Sequence, residues 1–164
     1  MIPKEVLIRE ISREDNPKIA QVIREVLIEF GVPKVGTAYA DIALDMMQQT
    51  YDIERAAYFI VEVDGEILGG AGIKQLDNFK GNVCELQKMY FSAKIRGLGI
   101  GQQLMSVCLK KATEFRYEKC YLETMPYMTD AQKLYKKVGF NYLNQPMGDT
   151  GHYSCPIWMI KDLS

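Results

Sequence analysis

The sequence holds one histidine, one tryptophan and four cysteines in 164 residues. The single imidazole, His152, cannot supply a cluster of ligands, and no cysteines stand at metal-ligand spacing, so no metal is expected. Cys84, Cys108, Cys120 and Cys155 are far apart, the first three inside apolar segments, which suits reduced, buried thiols. No apolar run reaches the roughly 18 residues of a membrane span, so no membrane partner is expected. Residues 1–11 carry Lys4, Glu5, Arg9 and Glu10, which leaves no apolar core for a signal peptide. The expected location is therefore the cytoplasm. Neither charge is in excess: there are twenty basic and twenty-one acidic side chains, a formal net charge of -1. Without a basic stripe to displace counterions, a nucleic-acid partner is not expected. Two common phosphate loops are missing too. Ile100-Gly101-Gln102-Gln103 stands where a Walker A loop would need Gly-Lys-Ser/Thr, and Gln102 occupies the last glycine of a dinucleotide fingerprint begun at Gly97.

What remains is an ordinary globular composition, 48% hydrophobic and 25% charged. No repeat, linker or low-complexity tract divides the chain, so residues 1–164 are expected to form one domain. Residues 5–11 read as a strand. Asn16-Pro17 reads as an N-cap and first helical position, followed by Ile19, Val22, Ile23, Val26, Leu27 and Phe30 at helical spacing. Ala40, Ala43, Leu44, Met47 and Tyr51 mark a second helix. Strands at 58–63 and 67–73 flank Asp64-Gly65, a strong hairpin signal, and 83–91 is a third strand. A long helix begins near Ile100, with Leu104, Val107, Cys108, Lys111, Ala112 and Phe115 on its inner stripe. Residues 119–125 read as a strand. Thr129 and Gln132 read as a capping box for a short helix, and strands at 140–143 and 157–160 finish the chain. The order is β-α-α-β-β-β-α-β-α-β-β, a mixed α/β sheet with helices packed on both faces.

The junction Arg96-Gly97-Leu98-Gly99-Ile100-Gly101 lies between a strand and a helix. Glycines let backbone approach a ligand there, and the free N–H groups of the first helical turn favour a phosphate. Arg96, Gly99 and Gly101 match the Arg/Gln-x-x-Gly-x-Gly/Ala motif of the GNAT superfamily of N-acetyltransferases, which the chain resembles. The preceding Glu85-Leu86-Gln87-Lys88-Met89-Tyr90-Phe91 is close to that family's Glu-Leu-x-x-Leu-Tyr-Val strand. Ala131, Leu134, Tyr135, Gly139 and Phe140 complete its second motif, Ala-x-x-Leu-Tyr-x-x-x-Gly-Phe. Two positions depart: Met128 stands where asparagine is frequent, and Ala93 where proline is.

The resemblance implies a single-domain GNAT-like fold and an acetyltransferase using acetyl-CoA, with an amine acceptor and room for a homodimer. It places the pyrophosphate on Arg96, Gly97, Leu98, Gly99, Ile100, Gly101 and Gln102. Met89, Tyr90 and Phe91 would meet the pantetheine through their backbones, with the N–H of Met89 polarising the thioester carbonyl. Tyr135 would protonate the departing thiolate. Transfer would be direct, in a ternary complex. For the base that deprotonates the amine, Glu85 aligns with a strand glutamate used in some members, Glu123 is a reserve, and His152 has a suitable intrinsic pKa. Regular alternation would put Glu85 on the same face as Met89, about 13 Å away along the strand. The acceptor would be held by the loop at 31–39 and the loop before the last strand. The alternative from another class is an acyl-CoA-binding sensor without turnover.

Overall fold

The computed structural model describes residues 5–163. The elements are β1 (Val6–Glu10), α1 (Asn16–Glu29), α2 (Met47–Tyr51), β2 (Ala57–Val63), β3 (Glu66–Gln75), β4 (Val83–Phe91), α3 (Ile100–Glu114), β5 (Lys119–Thr124), α4 (Thr129–Lys137), β6 (Asn141–Leu143) and β7 (Ile157–Asp162). The strands form one sheet in the order β1-β2-β3-β4-β5-β7-β6. Every neighbouring pair is antiparallel except β4 and β5. A parallel pair needs a crossover, and α3 provides it.

Strand alternation divides the core in two. Phe59, Val61, Ala71, Ile73, Cys84, Leu86, Cys120 and Leu122 pack with Ile100, Leu104, Met105, Cys108 and Ala112 of α3 and Tyr135 of α4. Tyr58 and Ile60 turn to the other face, against Ile19, Ile23 and Leu27 of α1 and Met47 and Tyr51 of α2. Cys84, Cys108 and Cys120 are buried free thiols, as their apolar setting leads one to expect.

Three local expectations are corrected. Asn16 is the first residue of α1 and not its cap. Its side chain accepts from Gln48 N at 2.8 Å and donates to Gln49 at 2.7 Å, tying α1 to α2. The second helix is broken into 3-10 turns at Ala38–Ala40 and Ile42–Asp45 before α2. Thr129 does not cap α4. Met128 is the N-cap, and Gln132 donates instead to the carbonyls of Met125 at 2.9 Å and Pro126 at 3.3 Å.

Two irregularities in β4 shape the site. Pairing with β5 covers only Val83, Cys84 and Glu85, although both strands continue, so a fork opens beyond Glu85. On the other edge the register with β3 slips: Gly72 opposes Gln87, yet Gly70 opposes Tyr90. Lys88 and Met89 thus share one partner position, and Lys88 has a left-handed φ of 49°. This bulge reverses the alternation. Met89 packs on the α3 face and Tyr90 on the α1 face, whereas Gln87 beside Glu85 meets Tyr51 of α2. The expectation that Glu85 and Met89 project to one face is therefore overturned, because the extra residue shifts the phase by one.

Candidate active site

A cavity of about 440 Å³ lies between the C-terminal half of β4, the N-terminus of α3 and α4. Its lining includes Met89, Tyr90 and Phe91, then Arg96, Gly97, Gly99, Ile100, Gly101 and Gln102, and Tyr135 across from them. Leu98, the remaining loop residue expected there, is not in the lining and is 40% exposed. Gly99 is the N-cap of α3 with φ 78°, a conformation that bare backbone tolerates and a Cβ does not. A Cβ built there meets no atom within 4 Å, so the cap faces open space toward which the first N–H groups of α3 point. These features suit an anionic ligand: free donors, a positive dipole end and no side chain in the way.

Arg96 also has protein partners. Its guanidinium forks onto Glu29 at 2.5 and 2.9 Å, donates to the carbonyl of Phe91 at 2.8 Å and stacks on Phe30 at 4.9 Å. It thereby joins the end of α1 to the end of β4, walling one side of the cavity. Tyr135 is 7% exposed and packs edge-on to Phe140. Burial raises its phenol pKa well above the ordinary value, so the hydroxyl stays protonated and remains a donor at neutral pH.

Around the fork, on the α1 face, the three residues expected to compete as base come together. One ligating atom each from Glu85, Glu123 and His152 lies within 4.8 Å of the others. Glu85 is 3% exposed. Its pKa is raised to about 7, chiefly by burial and also by Glu123, against the lowering effect of Gln87, His152 and Lys88. Glu123 accepts from the hydroxyls of Tyr121 at 2.7 Å and Thr150 at 2.5 Å. His152 Nε2 sits 2.8 Å from Asp41, and burial, which alone would lower the imidazole pKa, is outweighed by that carboxylate so that the pKa is raised. Lys88 Nζ meets the same Asp41 oxygen at 3.1 Å. Burial opposes ionisation of Asp41, yet these two partners hold its carboxyl below the ordinary value.

The two loops expected to hold an acceptor are in contact. Ser154 N donates to the carbonyl of Gly36 at 3.0 Å, and Ser154 Oγ to that of Val35 at 3.0 Å. Asp41, Gln87, Lys88, Tyr51 and Thr150 were not legible as site residues. Asp41 and Thr150 come from irregular segments, and Lys88 reaches the site only because the bulge turns it there. Gln87 carried one usable signal, its position two residues beyond Glu85 on a strand.

The acetyltransferase (GNAT) family model matches residues 22–140. Over 162 residues the chain is 39% identical to the uncharacterized N-acetyltransferase YjgM of Escherichia coli (strain K12), covering 98% of this chain and 97% of that one. Its backbone is similar to the acetyltransferase of GNAT family from Staphylococcus aureus Mu50, with a TM-score of 0.86 at 21% identity over 98% of this chain and 100% of that one. It is also similar to PaiA N-acetyltransferase from Thermoplasma acidophilum, solved in complex with coenzyme A, with a TM-score of 0.73 at 17% identity over 96% and 99% of the two chains. The chain belongs to the acetyltransferase (GNAT) family and is an acetyl-CoA-dependent N-acetyltransferase. Among the described residues no helix is long and apolar enough to cross a membrane.

Proposed function

We propose that the protein transfers acetyl directly from acetyl-CoA to a primary amine of a small molecule or peptide, with Glu85 as base and Tyr135 as acid. The observation that carries this is the buried Glu85 at the fork, with a pKa of about 7 where an ordinary carboxyl would be far too weak a base. His152 is already engaged: its Nε2 faces the Asp41 carboxylate at 2.8 Å, where the ring nitrogen serves as a donor and not as an acceptor. In this reading the pyrophosphate lies on the Arg96–Gly101 loop and the pantetheine runs along Met89, Tyr90 and Phe91. The acceptor enters from the α1 face, between the loops carrying Asp41 and His152.

The amine is mostly protonated at neutral pH, with an ordinary pKa of about 10.4. Glu85 takes that proton, directly or through water, and the nitrogen lone pair attacks the thioester carbon. The N–H of Met89 stabilises the oxyanion. As the C–S bond breaks, the electron pair leaves on sulfur and Tyr135 protonates it, while the nitrogen gives up its second proton, which passes through water to restore the phenol. No metal is assigned a part. The chain acts as one catalytic domain in the cytoplasm, on an acceptor that is not a nucleic acid; a homodimer fits the reading equally.

Initial-rate kinetics with both substrates varied, using the best amine from a broad panel, test this. Intersecting lines are expected for a ternary complex, and parallel lines would overturn it. Glu85→Gln should depress kcat/KM most near neutral pH and recover in part at high pH, while His152→Ala mainly raises the acceptor KM. If the pH-dependent loss follows His152 and Glu85→Gln is nearly silent, the histidine is the base. Coenzyme A binding without turnover of any amine would favour a sensor.

A further inference from the structure

We infer that Gln87, locked in orientation by Tyr51, is a positioning residue for Glu85, occupying one carboxylate oxygen and leaving the other to take the acceptor's proton. The inference rests on Glu85 being the base. Gln87 follows Glu85 by two residues and shares its face before the bulge begins, so its side chain lies alongside the carboxylate. Gln87 Nε2 donates to Glu85 Oε1 at 2.6 Å. A carboxamide can turn either end toward a neighbour, and Tyr51 decides which. Its hydroxyl donates to Gln87 Oε1 at 2.6 Å, which forces the NH2 toward Glu85. Burial raises the Tyr51 phenol pKa well above its ordinary value, so the hydroxyl remains a donor across the working range. Tyr51 itself is fixed on short helix α2, 4% exposed against the α1-face core.

The consequence falls on the second oxygen of Glu85. Oε2 accepts no hydrogen bond from the described residues. Yet none of the buried side-chain oxygens and nitrogens described lacks a partner, so Oε2 is not fully enclosed and carries part of the small exposure left to Glu85. The Gln87 bond is also the largest influence favouring the carboxylate form. Glu123 from β5 opposes it, while His152 from the loop before β7 and Lys88 on β4 assist. Asp41, from the segment before α2, contacts both of those groups. Without Gln87, burial and Glu123 hold the proton on Glu85 further up the pH range.

The test is the pH profile of kcat/KM for one acceptor in the parent, Gln87→Met, the double variant Tyr51→Phe/Gln87→Met, and Glu85→Gln. The acceptor's own ionisation is common to all four, so differences belong to the enzyme. Gln87→Met should move the acidic limb upward by about one pH unit, the scale of a lost hydrogen bond to a charge. The loss should approach tenfold below the parent midpoint and shrink as pH rises. The double variant removes both ends of the Tyr51 bond, so it leaves no orphaned hydroxyl and should fold even if the single variant does not. It should show the same displaced limb. An unmoved limb with an equal loss at every pH would make Gln87 a packing residue and overturn the inference. Glu85→Gln separates the two levels: its limb near pH 7 should vanish, leaving only the rise at high pH that follows the acceptor's own ionisation, and if the limb near pH 7 persists, the assignment of the base fails first and the inference with it.

Discussion

The hydroxyl of Tyr58 on β2 donates to the carbonyl oxygen of Lys88 on β4 at 2.8 Å, reaching across the intervening strand β3. Glycine at 70 and 72 makes this possible. A Cβ at Gly70 would stand 2.6 Å from Tyr58 Cε1, and one at Gly72 would stand 2.5 Å from Cδ2, so the ring lies flat only over bare backbone. The bond anchors the bulge that reverses the face of β4 and aims Lys88 at Asp41.

Tyr58→Phe keeps the ring and removes the anchor. We expect kcat to fall roughly five- to tenfold, about 1 kcal/mol of lost alignment, with acetyl-CoA affinity nearly unchanged. Stopped assays of coenzyme A release together with calorimetric titration check this. An undiminished kcat in a folded variant would mean that the bulge holds without the tyrosine.

Gly99→Val places a branched side chain in the open space at the head of α3, at a backbone angle of 78° that disfavours it. Acetyl-CoA binding should weaken at least tenfold, about 1.4 kcal/mol. Calorimetry reads the affinity and circular dichroism verifies the fold. Unchanged affinity would remove the phosphate-cradle assignment.

Tyr135→Phe retains the edge-on contact with Phe140 and loses only the donor. If the hydroxyl acts in the transition state, kcat drops on the order of 10²-fold while the acetyl-CoA Kd stays near the parent value. Steady-state kinetics with chemistry rate-limiting decide it. A normal kcat would leave Tyr135 as a packing residue.

Glu85 also leaves a mark on stability. Its folded-state pKa of about 7 lies above the ordinary 4.5, so between these values the native state binds the proton more tightly than the unfolded chain. The stabilisation from the protonated carboxyl is full below about 4.5 and is lost as pH rises through 7. Glu85→Gln has no proton to lose. The melting temperature of the variant relative to the parent should therefore climb by several degrees between pH 5 and pH 8, with an upper bound of about 3 kcal/mol. A difference, variant minus parent, that stays constant or falls across that range contradicts the raised pKa.

Much of the architecture was legible because it depends on local periodicity. The apolar spacing of α1, the Asp64-Gly65 turn and the strand at Val83–Phe91 are each written in a few consecutive residues. The break-up of the second helix was not. Ala40, Ala43, Leu44, Met47 and Tyr51 keep helical spacing, but the segment closes as short 3-10 turns, and Asn16 then takes the exposed N–H of Gln48. The tertiary contact overrides the pattern there.

The cofactor-facing half of the site follows the same division. The glycine loop and Tyr135 sit in contiguous motifs, so the sequence alone determined which residues they are, and the fold lines one cavity with both. The cluster proposed to face the acceptor was brought together only by the fold. Asp41, Glu85, Lys88, Glu123 and His152 come from four separate segments, and they meet because β4 and β5 part after three residue pairs and a single extra residue in β4 reverses its phase. Periodicity sees neither event. The bulge carbonyl is met by the Tyr58 hydroxyl from two strands away, and the raised pKa of Glu85 depends on what is packed around it, so both are properties of the assembled sheet.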